Sequence, residues 1–379
     1  MPVRDLPDEL SSWDRVQIRM LQSEDPAREA CRALGRFAAT EAVTLAGDDN
    51  AVMRSMPQPT CYCCGGTGEL LFRDLRDTLF SAKGRWSLRR CNAADCGLLW
   101  LDPMPIEEDL ELAYQAYYTH EVAQKSSAHR VARLLYRLAT ESVLALAGIP
   151  GERRRAEQMF LGDVIPGRLL DVGSGSGEFL STMRKRGWAV MGVDVDPAAV
   201  RAARRAYGLE VHLGAVADLV AKGLQFDAIT ASHVIEHVRD PVGLLAQCRR
   251  LLRPGGRVVL RTPNARSHGL ARYGAAWRGL EPPRHLHLFT AEALAACAAR
   301  AGFAAADCFT STAMADITWV ASRLIARRGS YRESELASWE RMEIQVLKPL
   351  MALRSKLAWL NDRRSGEEVC AILSSPQTA

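Results

Sequence analysis

The sequence predicts an α/β protein: a mostly parallel sheet with an antiparallel last strand, a small cysteine-bearing unit ahead of it, and helical additions. Three observations predict this. From residue 166 onward, short apolar runs alternate with amphipathic stretches, the rhythm of strands joined by crossover helices. RLLDVGSGSGEF, at 168–179, ends a strand in a glycine-rich turn, which lets backbone approach a ligand closely. CYCCGGTG, at 61–68, packs three cysteines into four positions, and Cys91 and Cys96 follow.

Taken in order, residues 1–57 read as a helical or partly disordered extension, closed by a proline-bearing linker. Residues 58–104 form the cysteine unit. Residues 105–165 read as a helical connector or cap, rich in tyrosine at Tyr114, Tyr117 and Tyr118. Residues 166–379 form the main domain, with a helical insertion at about 316–360. Within it, RLLDVG, WAVMGVD, LEVHLG, FDAITAS and GRVVLRT read as strands. Helices fall between them. Pro197 opens one, and Asp240 caps another with Pro241 behind it. FAAADCFT and the terminal GEEVCAILSS supply the last two strands, paired antiparallel.

Bulk properties narrow the function. A net charge of +5 over 379 residues is far from the footprint of a dedicated nucleic-acid binder. The first ten residues, MPVRDLPDEL, lack the pattern of a secretory signal, and no run approaches the roughly 20 apolar residues of a membrane span. A cytoplasmic protein is expected. In a reducing compartment clustered cysteines bind metal or act in redox chemistry, whereas the scattered Cys31, Cys248, Cys297, Cys308 and Cys370 read as small buried hydrophobes.

Cys61-x2-Cys64 and Cys91-x4-Cys96 form two halves of a tetrahedral thiolate site, suited to structural zinc. A redox CxxC and an unmetallated loop are the alternatives, and Cys63 is a spare thiol or an alternative ligand. RDLRDTLF and RWSLRRC read as strands of a small ribbon too poor in core to fold without metal.

The glycines Gly173, Gly175 and Gly177 follow Asp171, and Asp194 ends the next strand 21 positions after Gly173. A nicotinamide-binding fold shares the turn and the second acid. It does not share an acid ahead of the glycines, which repels pyrophosphate but suits an ammonium group.

With LLDVGSGSGEFL, GVDVDP, FDAITASHVIEHVRDP and LLRPGGRVVLRTPN in this order, the chain resembles the class I S-adenosylmethionine (SAM)-dependent methyltransferases, over roughly residues 166–310 and the last strand. The resemblance implies a Rossmann-like sheet. It implies that Gly173, Gly175 and Gly177 wrap the methionine part of SAM, with Asp171 near its amino group and Asp194 on the ribose. Backbone around Ser232 faces the sulfonium. Many relatives carry an acid after the third strand that contacts adenine. This chain has Gly214–Ala215–Val216, so backbone at Val216 makes that contact, with Asp218 nearby.

Two histidine clusters follow. His233, Glu236 and His237 fall at i, i+3 and i+4, one face of a helix, which suits an orienting role or a divalent metal. EPPRHLHLFT, at 281–290, offers His285 as a base or acceptor contact and His287 beside it; Arg284 reads as a solvated arginine or an anion contact. The order of cysteine ribbon, DPMP, tyrosine-rich stretch and SAM domain is similar to a bacterial group that includes deoxysugar C-methyltransferases and proteins of surface-polysaccharide and natural-product pathways. The expected function is therefore methyl transfer to a small-molecule acceptor (a sugar, polysaccharide precursor or secondary metabolite), at oxygen ahead of carbon. The alternative is an RNA methyltransferase that uses the ribbon to contact RNA. The late basic and apolar helices read as a cap that packs on the domain or on a second copy in a homodimer, with attachment to a membrane surface as the rival reading.

Overall fold

The computed structural model describes residues 53–114 and 141–374, which lie in one unit, Gly47–Ala379. The expected extension falls outside the described residues except at 53–57, as do Cys31, Tyr117 and Tyr118. Residues 53–57 are not helical. β1 (Ser55–Met56) pairs antiparallel with β5 (Met104–Pro105), which closes the cysteine unit. Between them run β2 (Gly68–Leu75), β3 (Trp86–Cys91) and β4 (Leu99–Leu101), successive antiparallel neighbours.

The first ribbon strand lies earlier than the expected 73–80. Asp77 is the reason. Its carboxylate accepts from the amides of Leu79, Phe80 and Ala82, so the chain turns at 76–82 instead of continuing extended. Leu88, Leu98, Leu99, Trp100 and Leu101 are fully buried, giving the unit a core that continues into the main domain.

The main sheet comprises β6 (Arg168–Val172), β7 (Ala189–Asp194), β8 (Val211–Leu213), β9 (Phe226–Ser232), β10 (Leu252–Pro263), β12 (Ala305–Ser311) and β13 (Glu368–Ser374). Their order across it is β12-β13-β10-β9-β6-β7-β8. Only β13 runs against its neighbours, as expected. The short β11 (His287–Leu288) leaves this domain and pairs antiparallel with β4, adding a fourth strand to the ribbon.

Crossover helices cover both faces: α1 (Ile149–Glu157), α2 (Glu178–Lys185), α3 (Pro197–Tyr207), α4 (Val216–Ala221), α5 (Pro241–Leu251), α6 (His268–Tyr273) and α7 (Ala291–Arg300). Asp196 caps α3 through the Ala198 amide, and Asp240 caps α5 through that of Gly243. The late insertion is a helix pair, α8 (Ala315–Arg328) and α9 (Ser338–Asn361). Among the described residues no helix is long and apolar enough to cross a membrane.

Two buried acids fasten the late elements beside the site. Glu152 on α1 accepts from Ser311, Thr312 and, at 2.6 Å, Lys356 of α9. Glu367 accepts from the indoles of Trp277 and Trp319 and the amide of Gly269. Its neighbour Glu368 faces the opposite side of β13, toward the site.

Candidate active site

At the carboxyl ends of β6 and β9, where open α/β sheets bind ligands, the chain forms a cleft of about 340 Å³. Asp171, the 173–176 turn, Ser232 and Arg261 line it on the sheet side; Ala156, Glu157 and Met159 close it from the α1 side. The glycine turn is tight. Gly173 has φ +68°, and a Cβ there would lie 2.6 Å from Val234 Cγ2. Gly177 has φ +78°, and its Cβ would lie 2.9 Å from that of Ala203. Only glycine fits either position.

Asp171 is buried and accepts a 2.7 Å hydrogen bond from Thr230 Oγ1. Burial pushes its carboxyl up to about 7; the Thr230 bond opposes this and the Asp194 charge adds to it. Such a group gains from a cation. Asp194 accepts from the amides of Gly175 (2.8 Å) and Asp196 (2.9 Å), which fixes its carboxylate beside the turn. Val216 begins α4 and is buried. Asp218 caps that helix through the Ala215 amide and binds His212 at 3.1 Å, so it is engaged locally.

Residues 233–237 do not form the expected helix face. The His233 amide donates to the Arg261 carbonyl at 2.8 Å, extending the sheet contact. His233 then takes a left-handed φ of 55°, and Ile235–His237 is a single 3-10 turn. The His233 ring bridges Glu236 (Nδ1, 3.1 Å) and Glu368 (Nε2, 3.0 Å). Burial works against its charge, but the two carboxylates prevail and hold it at about 9. The ring is 39% exposed, so water moderates this. Glu236 is fully buried and also accepts from Thr262 at 3.0 Å. Its burial is outweighed by His233, which holds it at about 2.

His237 and His285 meet edge to face at 4.8 Å between ring centres. His237 Nδ1 lies 3.0 Å from the Arg284 carbonyl, and His285 Nδ1 lies 2.8 Å from that of Gly279. Donation to these carbonyls puts a proton on each Nδ1 and turns each Nε2 away from them. Burial lowers His285 to about 4, so it is neutral at physiological pH. One donor atom each from Glu236, His237 and His285 fall within 4.8 Å of one another. The Tyr114 hydroxyl lies 3.0 Å from His237 Nδ1. His287 stands apart: its Nδ1 lies 3.2 Å from the Val238 carbonyl, and its ring packs on Tyr62 of the cysteine unit.

Arg284 is neither solvated nor open to an anion. Its side chain is 0% exposed and meets both Asp77 oxygens, at 2.8 and 2.9 Å, and Glu281 at 3.0 Å. Its guanidinium also lies 4.5 Å over the Phe80 ring. The Asp77 turn that shortens the first ribbon strand therefore holds the residue next to His285. Two further ties join the same parts: Thr290 Oγ1 donates to the Cys96 carbonyl at 2.5 Å, and Leu101 N to the Leu286 carbonyl at 3.1 Å.

The sulfurs of Cys61, Cys64, Cys91 and Cys96 all lie within 4.8 Å of one another. Cys61 and Cys96 approach to 3.6 Å, and Cys64 and Cys91 to 3.4 Å. Tetrahedral zinc thiolates place sulfurs about 3.8 Å apart, so the donor set fits that ion. Cys63 is outside the cluster, with its sulfur 3.0 Å from that of Cys297 on α7.

Sequence reasoning missed Asp77, Glu281, Arg261 and Glu368. Arg261 alone left a signal, a charge inside the buried run GRVVLRT. The others depend on contacts across the fold.

The fold, the glycine turn and the paired acids agree with the class I SAM-dependent methyltransferase fold that the sequence resembles. Residues 120–307 match the family model described as a methyltransferase domain, so the chain carries a domain of that family. Among curated proteins, the ubiquinone biosynthesis O-methyltransferase of Xanthomonas oryzae pv. oryzae (strain PXO99A) is 37% identical over 134 residues, covering 33% of this chain and 56% of that protein. The protein of the same name from Cereibacter sphaeroides (strain ATCC 17025 / ATH 2.4.3) is 37% identical over 117 residues, covering 29% and 47%. The chain thus spans about half the length of these relatives. A solved SAM-dependent methyltransferase from Archaeoglobus fulgidus aligns at 19% identity and a TM-score of 0.39, over 65% of this chain and all of that one.

Proposed function

We propose that this protein transfers a methyl group from SAM to a hydroxyl of a small-molecule acceptor, and that its four-cysteine unit holds a structural zinc. The observation that carries the reading is the pairing of the Asp171 cleft with the edge-to-face His237–His285 pair at the same end of the sheet. The relatives' O-methyltransferase names support oxygen as the atom methylated; a sugar, polysaccharide-precursor or secondary-metabolite hydroxyl is the acceptor class.

SAM, when bound, supplies a methyl group already activated by its sulfonium. Asp171 would meet the ammonium, Asp194 the ribose hydroxyls, and backbone at Val216 the adenine. The acceptor hydroxyl must be aligned and relieved of its proton. His237 is the more exposed of the pair, so its Nε2 is the proton acceptor, with His285 packed behind it. His233, engaged at both nitrogens, holds Glu236 in place. Cys61, Cys64, Cys91 and Cys96 would hold zinc, which leaves no open position and confines its role to the ribbon.

The test is native mass spectrometry for bound zinc, calorimetric titration with SAM, then a labelled-methyl screen over sugar and phenolic hydroxyl acceptors. One zinc, saturable SAM binding and a labelled small molecule are expected. No SAM binding overturns the enzyme reading; label transferred to RNA alone overturns the acceptor class.

A further inference from the structure

We propose that Arg261 anchors the carboxylate at the methionine end of SAM, so that a pair of opposite charges in this chain, Asp171 and Arg261, receives the ammonium and carboxylate of the cofactor's amino-acid end. The proposal rests on the SAM reading above and adds to it a residue and a charge-matched subsite.

A zwitterionic amino acid needs a partner of each sign. The charged side chains lining the cleft are Glu157, Asp171, Glu178 and Arg261, so Arg261 is its one cation among the described residues. Arg261 lies on β10 in register with Ser232 on β9, at the strand ends that frame the cleft. Its side chain is 15% exposed. A guanidinium that enclosed ordinarily has its five donors matched. Here Nη1 donates to the Ala156 carbonyl at 3.3 Å, and no acceptor among the described residues takes Nη2. Nε is buried without an aligned acceptor; Glu368 Oε1, at 3.4 Å, already receives His233 Nε2 at 3.0 Å. Glu368 thus offsets the charge of Arg261 but leaves donors open. A planar fork with open donors, in a cleft otherwise lined by acids, matches a ligand carboxylate. A carboxylate on the acceptor would suit the same donors, and the experiment separates the two sources.

The full chain is titrated calorimetrically with S-adenosylhomocysteine and with its decarboxylated analogue, which keeps the ammonium and thioether and lacks only the carboxylate. Wild type is expected to bind S-adenosylhomocysteine roughly 10- to 100-fold more tightly than the analogue. Arg261→Gln should weaken S-adenosylhomocysteine by about that factor and leave the analogue within about threefold, closing the gap. Arg261→Lys should retain part of the preference. Equal weakening of both compounds would mean that Arg261 acts through the fold, and would overturn the proposal. Unchanged S-adenosylhomocysteine affinity with a raised KM for the acceptor would overturn it in favour of an acceptor carboxylate. Should Arg261→Gln fail to fold, equal wild-type affinity for the two compounds still overturns it. Wild type that binds neither compound nor SAM fails at the earlier step, the SAM reading itself.

Discussion

The cofactor cleft and the histidine pocket share one end of one sheet, yet they are assembled in opposite ways. Asp171 and the glycine turn come from a single strand–turn–helix segment, and Asp194 from the next strand. The pocket gathers His237, His285, Tyr114 and, through Arg284, an aspartate 207 positions away. One is a local motif, the other a tertiary construction. The cysteine unit belongs to the second: it lends a strand to β11 and an aspartate to Arg284, so it forms part of the wall that holds His285.

The largest effect should separate the two regions most cleanly. His237→Ala is expected to slow methyl transfer by about 10²- to 10⁴-fold while leaving S-adenosylhomocysteine affinity unchanged by calorimetry. A parallel loss of cofactor affinity would mean that the two regions are not separable.

Next comes the buried pair. Arg284→Ala leaves Asp77 charged and unpaired in the interior, and should cost about 3–5 kcal/mol in urea unfolding. Arg284→Met combined with Asp77→Asn, which keeps an acceptor for the amides of the turn, should recover part of that stability. If the pair serves to place His285, the double variant should still transfer methyl groups slowly. Full activity would reduce the pair to packing.

Protonation should pull the regions apart again. Free Asp171 takes up a proton at about 7, and the cofactor's ammonium favours the carboxylate, so affinity should fall about tenfold per pH unit below that value. Asp171→Asn should flatten this slope. Burial holds His285, in the pocket, and His287, outside it, at about 4 against an ordinary 6.5. The unfolded chain therefore protonates first. Stability from these two groups is complete above 6.5 and declines as pH falls toward 4, which acid unfolding monitored by tryptophan fluorescence would follow.

The smallest effect is a local control. Asp196→Ala removes the cap of α3 and should cost about 1 kcal/mol. The metal content of the proposed zinc site should not differ from wild type, which metal analysis of the variant would check.

Much of the fold was legible because its signals are periodic and local. Alternating apolar runs gave the strands their places, and Asp240–Pro241 marked a helix start that the structure keeps. The four cysteines were legible for the same reason: each pair sits on a short turn. Two readings of local spacing failed, one to a contact with a neighbouring strand and one to a side-chain turn. His233, Glu236 and His237 have helical spacing, but a backbone bond from His233 to the neighbouring strand stops a helix from starting. RDLRDTLF has strand-like composition, but Asp77 turns it and then meets Arg284.

Short-range patterns in the chain suffice for the sheet, its order of strands and helices, the glycine turn with its acids, and the thiol donor set. Each depends on residues a few positions apart, whose geometry the backbone enforces. Long-range packing sets the rest: Arg284 is buried, His287 parts from His285, and Arg261 faces the cleft. Those outcomes depend on which distant charge arrives to pair with a group or leaves its donors open, and no spacing along the chain encodes that.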